Sequence, residues 1–490
     1  TGSHDVIFDE VFVPLEQAVD IQPANVPRPS ELDSKGVLWL AVLLSACSWL
    51  KPAAMPPLDL PPPAANGPWQ SASQVPASDP AWWQLFQDPV LDDLQRQLVL
   101  GNHNLQAMAA LVRQAQAAVG TAQASLYPTV NANLGVSRSE NTPATVTGTN
   151  YSLSAPVSWE VDVWGRVSGL NRAADARLQA SREDLAAARL SAQSTLVQTY
   201  LSLRSADQQL AVLDQAVLAY EKSLQLTDYR YQAGVVSAAD VAQAQLQLQT
   251  AQAQRLDLRT QRRQLGHALA VLVGQSPSAM ALAPRTPSFG VPDLPQSLST
   301  ALLLRRPDVA AAERRVAAAN AQVGVAQSAF FPTLTLSANA GYRNQDFGSL
   351  VGASNVFWSV GPALVQSVFD GGLRRAARAD ALAARDASVA TYRQTVLTAM
   401  LELEDNLVAA AQLALQAQVQ AQALQAARRN LSITEAQYRA GAVSYLAVVT
   451  AQTSELSAER GLIDVQTRRL VAINALLKNL AGRWPEPALG

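Results

Sequence analysis

The chain has 490 residues, 37 Lys and Arg against 39 Asp and Glu, a formal net charge of -2, and 49% hydrophobic residues. No apolar run of ~20 residues occurs outside one short N-terminal stretch, which excludes a multi-span helical membrane protein, and near-neutral charge leaves no basic field for nucleic acid. A single cysteine, Cys47, excludes an intramolecular disulfide, and His4, His103 and His267 share no ligand spacing. The apolar share is largely Ala, Leu and Val interleaved with Gln, a mixture that favours long helices burying modest area per residue.

Residues 1–34 carry neither a Met nor a basic cluster and are set apart as an N-terminal extension, from a mis-called start or a fused remnant. Residues 35–46 read as a secretory signal: Lys35, a short apolar run from Val37 to Leu44, then Leu44-Ser45-Ala46-Cys47. The run is too short to span as a helix. The tetrapeptide resembles a bacterial lipobox, which makes Cys47 the lipidation site and Ser48 compatible with outer-membrane sorting. Residues 47–87 are Pro-rich and suit an extended tether from anchor to body.

Beyond the tether the chain repeats itself. Ala122-Gln123-Ala124-Ser125-Leu126-Tyr127-Pro128-Thr129 returns as Ala326-Gln327-Ser328-Ala329-Phe330-Phe331-Pro332-Thr333, and Tyr231-Gln232-Ala233-Gly234 returns as Tyr438-Arg439-Ala440-Gly441. A period of about two hundred residues is far too long for a short-unit solenoid. It divides the body into a repeat over 88–274, a linker over 275–294, a second repeat over 295–482 and a tail over 483–490.

Each repeat reads helix, two strands, long helix, returning helix. The first helix is expected over Asp88–Leu126 and again over Leu294–Phe330, ended by Tyr127-Pro128 and Phe331-Pro332. Strands are expected over 129–159 and 333–365. They alternate: Val130, Ala132, Leu134 and Val136 on one face, Asn131, Asn133, Gly135 and Ser137 on the other, and Leu334, Leu336, Ala338, Ala340 and Tyr342 against Thr335, Ser337, Asn339 and Gly341. Period two over about ten residues fits a transmembrane β-strand, and equally a half-buried strand of a soluble sandwich. The polar faces of Ser, Asn, Thr and Gly, and aromatics at the strand ends, favour the membrane. Trp159, Trp164, Phe331, Trp358 and Phe369 are the expected girdle. Four strands cannot close a barrel, and open edges in lipid cost several kcal/mol per unpaired group. The chain must therefore assemble, two copies giving eight strands or three giving twelve.

The long helices are expected over Ser168–Arg230 and Leu373–Tyr438, free of Pro. Leu196, Leu203, Leu210, Val217, Leu224 and Tyr231 keep seven-residue spacing, a coiled-coil pattern. Each stops at Ala-Gly (Gly234, Gly441), where glycine fits a left-handed cap. Returning helices follow over Ala238–Leu272 and Tyr445–Leu480.

Further motifs carry a family resemblance: Asp79-Pro80-Ala81-Trp82-Trp83, Trp159-Glu160-Val161-Asp162-Val163-Trp164-Gly165, Arg305-Arg306-Pro307-Asp308-Val309, Phe369-Asp370-Gly371-Gly372, and the paired tips. With the lipobox they resemble the TolC-type outer-membrane efflux factors, in the lipid-anchored NodT/OprM-like branch of RND systems. The resemblance implies a mainly α fold with a four-strand β contribution. Long antiparallel coiled-coil helices would form a periplasmic α-barrel, and trimerisation would complete a 12-strand transmembrane β-barrel. It also implies a Gram-negative outer-membrane location, a periplasmic adaptor (membrane fusion) protein and an inner-membrane RND-type pump as partners, and passive conduction through tips that splay open. Tyr231, Gly234, Ser237, Asp240, Tyr438, Gly441, Val443, Ser444 and Tyr445 mark the tips as gate and adaptor contacts. For each Gly and Tyr, capping and packing is the alternative role. Some relatives carry an aspartate two residues after the second-tip glycine. Val443 stands there, so an apolar constriction is the alternative to an acidic ring. No catalytic constellation, phosphate loop or metal cluster is seen, so neither an enzyme nor a cofactor is expected. A type I protein-secretion duct and a non-channel coiled-coil scaffold are the competing readings.

Overall fold

The computed structural model describes residues 69–70, 81–141, 146–286, 289–290, 298–299 and 305–480. Cys47, the signal, most of the tether and the tail lie outside these residues. The helices are α1 (Pro89–Gly101), α2 (His103–Ala124), α3 (Arg166–Gln232), α4 (Ala238–Leu272), α5 (Pro307–Ser328), α6 (Leu373–Arg439) and α7 (Tyr445–Leu480). The strands are β1 (Thr129–Val130), β2 (Asn133–Asn141), β3 (Val146–Glu160), β4 (Thr333–Asn344) and β5 (Val356–Val365). A two-residue parallel bridge joins Trp69–Gln70 to Leu298–Ser299.

The segment expected as one helix over Asp88–Leu126 is two. Gly101 lies against Gly274, so close that a Cβ on Gly274 would sit 2.0 Å from the Gly101 carbonyl oxygen. Asn102 then leaves the helical region (ψ 113), accepts from Leu105 N at 3.0 Å to cap α2, and donates to Leu272 O at 2.7 Å. Gly101 and Asn102 are weak helix formers and asparagine is a good N-cap, so the local sequence breaks the helix here and the contact with Leu272 reinforces it.

β1 and β2 are one strand in unbroken register against β3, from Thr129↔Ser158 to Asn141↔Val146. Asn131 donates to Pro156 O at 3.0 Å, but Pro156 has no N–H to return the bond, which splits the ladder there. The meander continues β3–β4–β5, all antiparallel. Among the described residues its two outer edges, along β1/β2 and along β5, are unpaired in the single chain.

α3 and α6 each span 67 residues, about 100 Å at ~1.5 Å per residue. Near the sheet the helices lie side by side as α2, α3, α5, α6; toward the tips the order is α4, α3, α7, α6. The heptad stripe explains the packing. Leu196, Leu203, Leu213, Val217 and Tyr220 are buried, whereas Tyr231, at the tip end, is 47% exposed.

The largest core lies where α1 crosses α3, with Trp82, Phe86, Leu91, Leu94 and Leu98 against Leu196, Tyr200 and Leu203. Asp88 caps α1 through Val90 N (2.9 Å) and accepts from the Tyr200 hydroxyl (2.7 Å). Burial pushes that hydroxyl's pKa up to about 12. Beside it Asp207 accepts from Arg204 (2.7 Å), Arg262 (2.5 Å) and the Arg285 amide (3.2 Å), while Arg204 and Arg262 also hold the Ala283 and Leu282 carbonyls. This cluster pins the inter-repeat linker to α3 and α4.

Candidate membrane sheet and helix tips

The register gathers the alternating apolar residues of all four strands on one face. Leu153, Tyr342 and Val356 lie abreast, as do Ala155, Ala340 and Trp358, and Val157, Ala338 and Val360. This face is exposed: Val130 67%, Leu134 65%, Trp358 74%, Val360 63% and Leu364 65%. The other face carries Ser152, Ser154, Ser158, Ser337, Asn339 and Ser359. It also carries Arg343, whose guanidinium lies 4.9 Å over the Phe357 ring. On the polar face Gly341 is required: a Cβ there would meet the Leu153 carbonyl oxygen at 2.2 Å.

The expected girdle residues separate into two levels. Trp159, Trp164, Phe331 and Phe369 gather at the helix end of the sheet. The Trp159 indole donates to Leu126 O at 3.0 Å, and that of Trp164 donates to Pro332 O at 2.6 Å while stacking on Phe331 (5.0 Å, 16°). Trp358 lies abreast of Ala155 and Ala340, midway along the sheet, and the far end carries a second aromatic group in which Tyr151 meets Phe347 edge-on at 5.4 Å. From Trp159 to Tyr151 is eight residues of strand, roughly 26 Å at ~3.3 Å each, or about 20 Å of height at a ~40° tilt. A transmembrane barrel's apolar band is close to that height, about 25 Å.

Each strand-to-helix junction is tied by an aspartate. Asp162 accepts from Val167 N (2.9 Å), Ser168 N (2.8 Å) and Ser168 Oγ (2.5 Å). Burial acts to raise its pKa, but these bonds and the Arg166 charge outweigh it and hold the carboxyl below its ordinary value. Arg166 is bidentate on Glu160. In the second repeat Asp370 takes the Gly372 and Arg374 amides and the Arg374 guanidinium, and that hydrogen bond leads in lowering its pKa.

At the tips, Gly234 (φ 69) and Gly441 (φ 77) take the left-handed conformation, followed by Val235 N→Arg230 O and Ala442 N→Gln437 O, both 2.8 to 2.9 Å. These are Schellman ends. Ser237 and Asp240 form a reciprocal capping box at the start of α4; at the second tip, where Ser444 precedes α7, the matching position is Ala447, which cannot close one. The structure brings Tyr438, Val443 and Tyr445 into one apolar cluster with Val448, Val449 and Ala244. Tyr438 and Tyr445 are 9% and 3% exposed, with rings 5.6 Å apart. Two partners were not foreseen. Arg230 lies 4.7 Å over the Tyr438 ring, and the Tyr445 hydroxyl meets Ser223 Oγ at 3.0 Å. Both come from the other repeat, over two hundred residues away, where spacing gives no signal.

A duplicated body that carries an exposed apolar sheet on one end and two long helical hairpins on the other defines a membrane duct subunit. The model of the family described as "Outer membrane efflux protein" matches residues 94–275 and 298–482. The chain belongs to this family, and its place is the outer membrane. It is 33% identical over 465 residues to the pyoverdine export outer membrane protein OpmQ of Pseudomonas aeruginosa, covering 91% of this chain and 98% of that one. It is 31% identical to the outer membrane protein OprJ of the same organism, covering 92% and 95%. Among solved structures, the outer-membrane channel OprN superposes with a TM-score of 0.81 at 29% identity, covering 88% and 99%. The Campylobacter jejuni CmeC channel does so at 0.80 and 25%, covering 88% and 95%.

Proposed function

We propose that three copies of this chain form a duct that conducts small molecules passively from an inner-membrane RND-type pump and its periplasmic adaptor to the exterior. One observation carries this reading: a four-strand sheet with an exposed apolar face and two unpaired edges, continuous with 67-residue helices. Such edges are unstable in lipid unless copies close them, and three copies supply twelve strands. The protein supplies the path and the pump supplies the energy. Cys47 is its lipid anchor. The tip residues Tyr231, Gly234, Ser237, Asp240, Tyr438, Gly441, Val443, Ser444 and Tyr445 form gate and adaptor contacts, with Tyr438 and Tyr445 holding the hairpins together and Val443 lending apolar character.

Relatives named for export of pyoverdine and toluene support small-molecule cargo over protein secretion. Deleting the gene should raise cellular accumulation of a fluorescent efflux dye, and the intact chain should restore its export. Unchanged accumulation, with a lost secreted protein instead, would contradict this function.

A further inference from the structure

The internal repeat predicts how one copy meets the next. Within the chain, the two repeats touch through β3 and β4, in pairs whose residue numbers total 495, from Tyr151↔Asn344 to Glu160↔Thr335. The first hairpin pairs at a total of 287 (Asn133↔Ser154) and the second at 698 (Thr333↔Val365). Pro128 and Pro332 place β1/β2 and β4 204 residues apart. The hairpin totals then place β3 and β5 207 apart. The same spacing separates Gly165 and Gly372, the left-handed residues that open α3 and α6.

Carrying the β3–β4 contact forward by one repeat sets β5 against the next copy's β1/β2, in pairs totalling 498. We propose that the open edges close in this register, with Leu364 opposite Leu134 of the next copy and Val365 opposite its Asn133. This rests on the closed-ring reading above and deepens it.

Three observations not used to obtain the register agree with it. First, it keeps apolar residues on one face, since Leu364 and Leu134 are both on the apolar side; a one-residue slip would reverse every side chain. Second, the backbone directions match. Asn131 N→Pro156 O and Val161 N→Leu334 O establish that even-numbered residues of β2 and of β5 aim their amides at the open edges, and the register pairs even with even. Third, Val368 and Phe369, 93% and 91% exposed beyond the end of β5, fall opposite Val130 and Thr129. Pro362, aimed at the seam without an N–H, repeats the one-donor gap of Pro156 and hinders mispairing of that edge.

The same operation carries helix contacts. Arg315–Asp184 between α5 and α3 becomes Leu111 of the next copy against Thr391. Asn474–Ser194 between α7 and α3 becomes His267 of the next copy against Leu401. Leu401 belongs to an exposed row on α6, Leu397, Leu401, Val408, Leu415, Val419 and Ile433, which falls within a ~40° arc over about 54 Å of helix. Such a row requires a partner helix.

The test is disulfide trapping in membranes with the full chain. Asn133→Cys with Val365→Cys forms a non-hydrogen-bonded pair, with Cα atoms ~4.5 Å apart in this register. A two-residue slip, in Asn133→Cys with Ala363→Cys or with Ser367→Cys, leaves ~7–8 Å, beyond disulfide reach. Oxidation should convert the first variant to covalent dimer and trimer at least tenfold more than either slipped variant. Leu134→Cys with Leu364→Cys repeats the test from the apolar face, and single-cysteine variants control for Cys47. Intact trimers that crosslink best in a slipped pair would overturn the register alone. Monomers in every variant and in the unaltered chain would overturn the closed ring as well.

Discussion

Asp207 offers the sharpest energetic test of the body. Its carboxylate and the Arg204 guanidinium are each 1% exposed, and Arg262 is 17% exposed. Asp207→Ala leaves Arg204 buried with only the Ala283 carbonyl for its Nη1, and also releases Arg262 and the Arg285 amide. Orphaning one member of a buried pair costs ~3–5 kcal/mol, and the remaining carbonyl argues for the lower end, about 3 kcal/mol. With an unfolding entropy near 2.1 cal/mol/K per residue over about 380 described residues, that is a fall of roughly 4 °C in Tm. The assay is a helical circular-dichroism melt of detergent-purified protein. Arg204→Leu combined with Asp207→Leu should fall less than Asp207→Ala alone, because no buried Arg204 charge remains. A single variant within 1 °C of the parent, or a double variant that melts lower than the single, would refute the assignment of Asp207 as the linker's clamp.

Four further outcomes are expected. Gly274→Ala drives a methyl into the Gly101 carbonyl and should lower the folded yield severely, while Gly371→Ala, at φ 63 with nothing within 4 Å, should cost only about 1 kcal/mol; comparative expression and melting distinguish them. Tyr445→Phe removes the Ser223 bond, about 0.5–1.5 kcal/mol, and should raise single-channel conductance in planar bilayers; unchanged conductance would separate the tyrosine cluster from gating. The Asp162 carboxyl is held below its ordinary 3.8, so its contribution is present above about pH 4 and lost as pH falls through the lowered folded value. The melting difference between parent and Asp162→Asn should therefore be steady above pH 5 and shrink below 4. Cys47→Ser should abolish incorporation of labelled palmitate, and retained label would move the anchor elsewhere.

Much of this architecture was legible because its signals are periodic. The returning helices begin at Ala238 and Tyr445, and the first ends at Leu272, as expected, since the Ser237 and Ser444 starts and the Gly274 end are local chemistry. The strand faces followed from period-two alternation, which pairing then preserved. The break at Asn102 carried a local signal, the Gly101-Asn102 stop and cap, that the single-helix expectation passed over; its second support, the Leu272 carbonyl, lies 170 residues away and left no trace in spacing. The same distance problem hid Ser223 and Arg230 behind Tyr445 and Tyr438. Tyr231, Tyr438 and Tyr445 were expected as gate and adaptor contacts; the structure leaves Tyr231 exposed and packs Tyr438 and Tyr445 inward, so a gating role for those two acts through cohesion of the hairpins.

Native mass spectrometry of the detergent-extracted full chain tests the central claim most directly. A duct closed by copies of this chain predicts particles of three chains that persist while the detergent covers the apolar sheet face. A stable, folded monomer or an even-numbered assembly would contradict it.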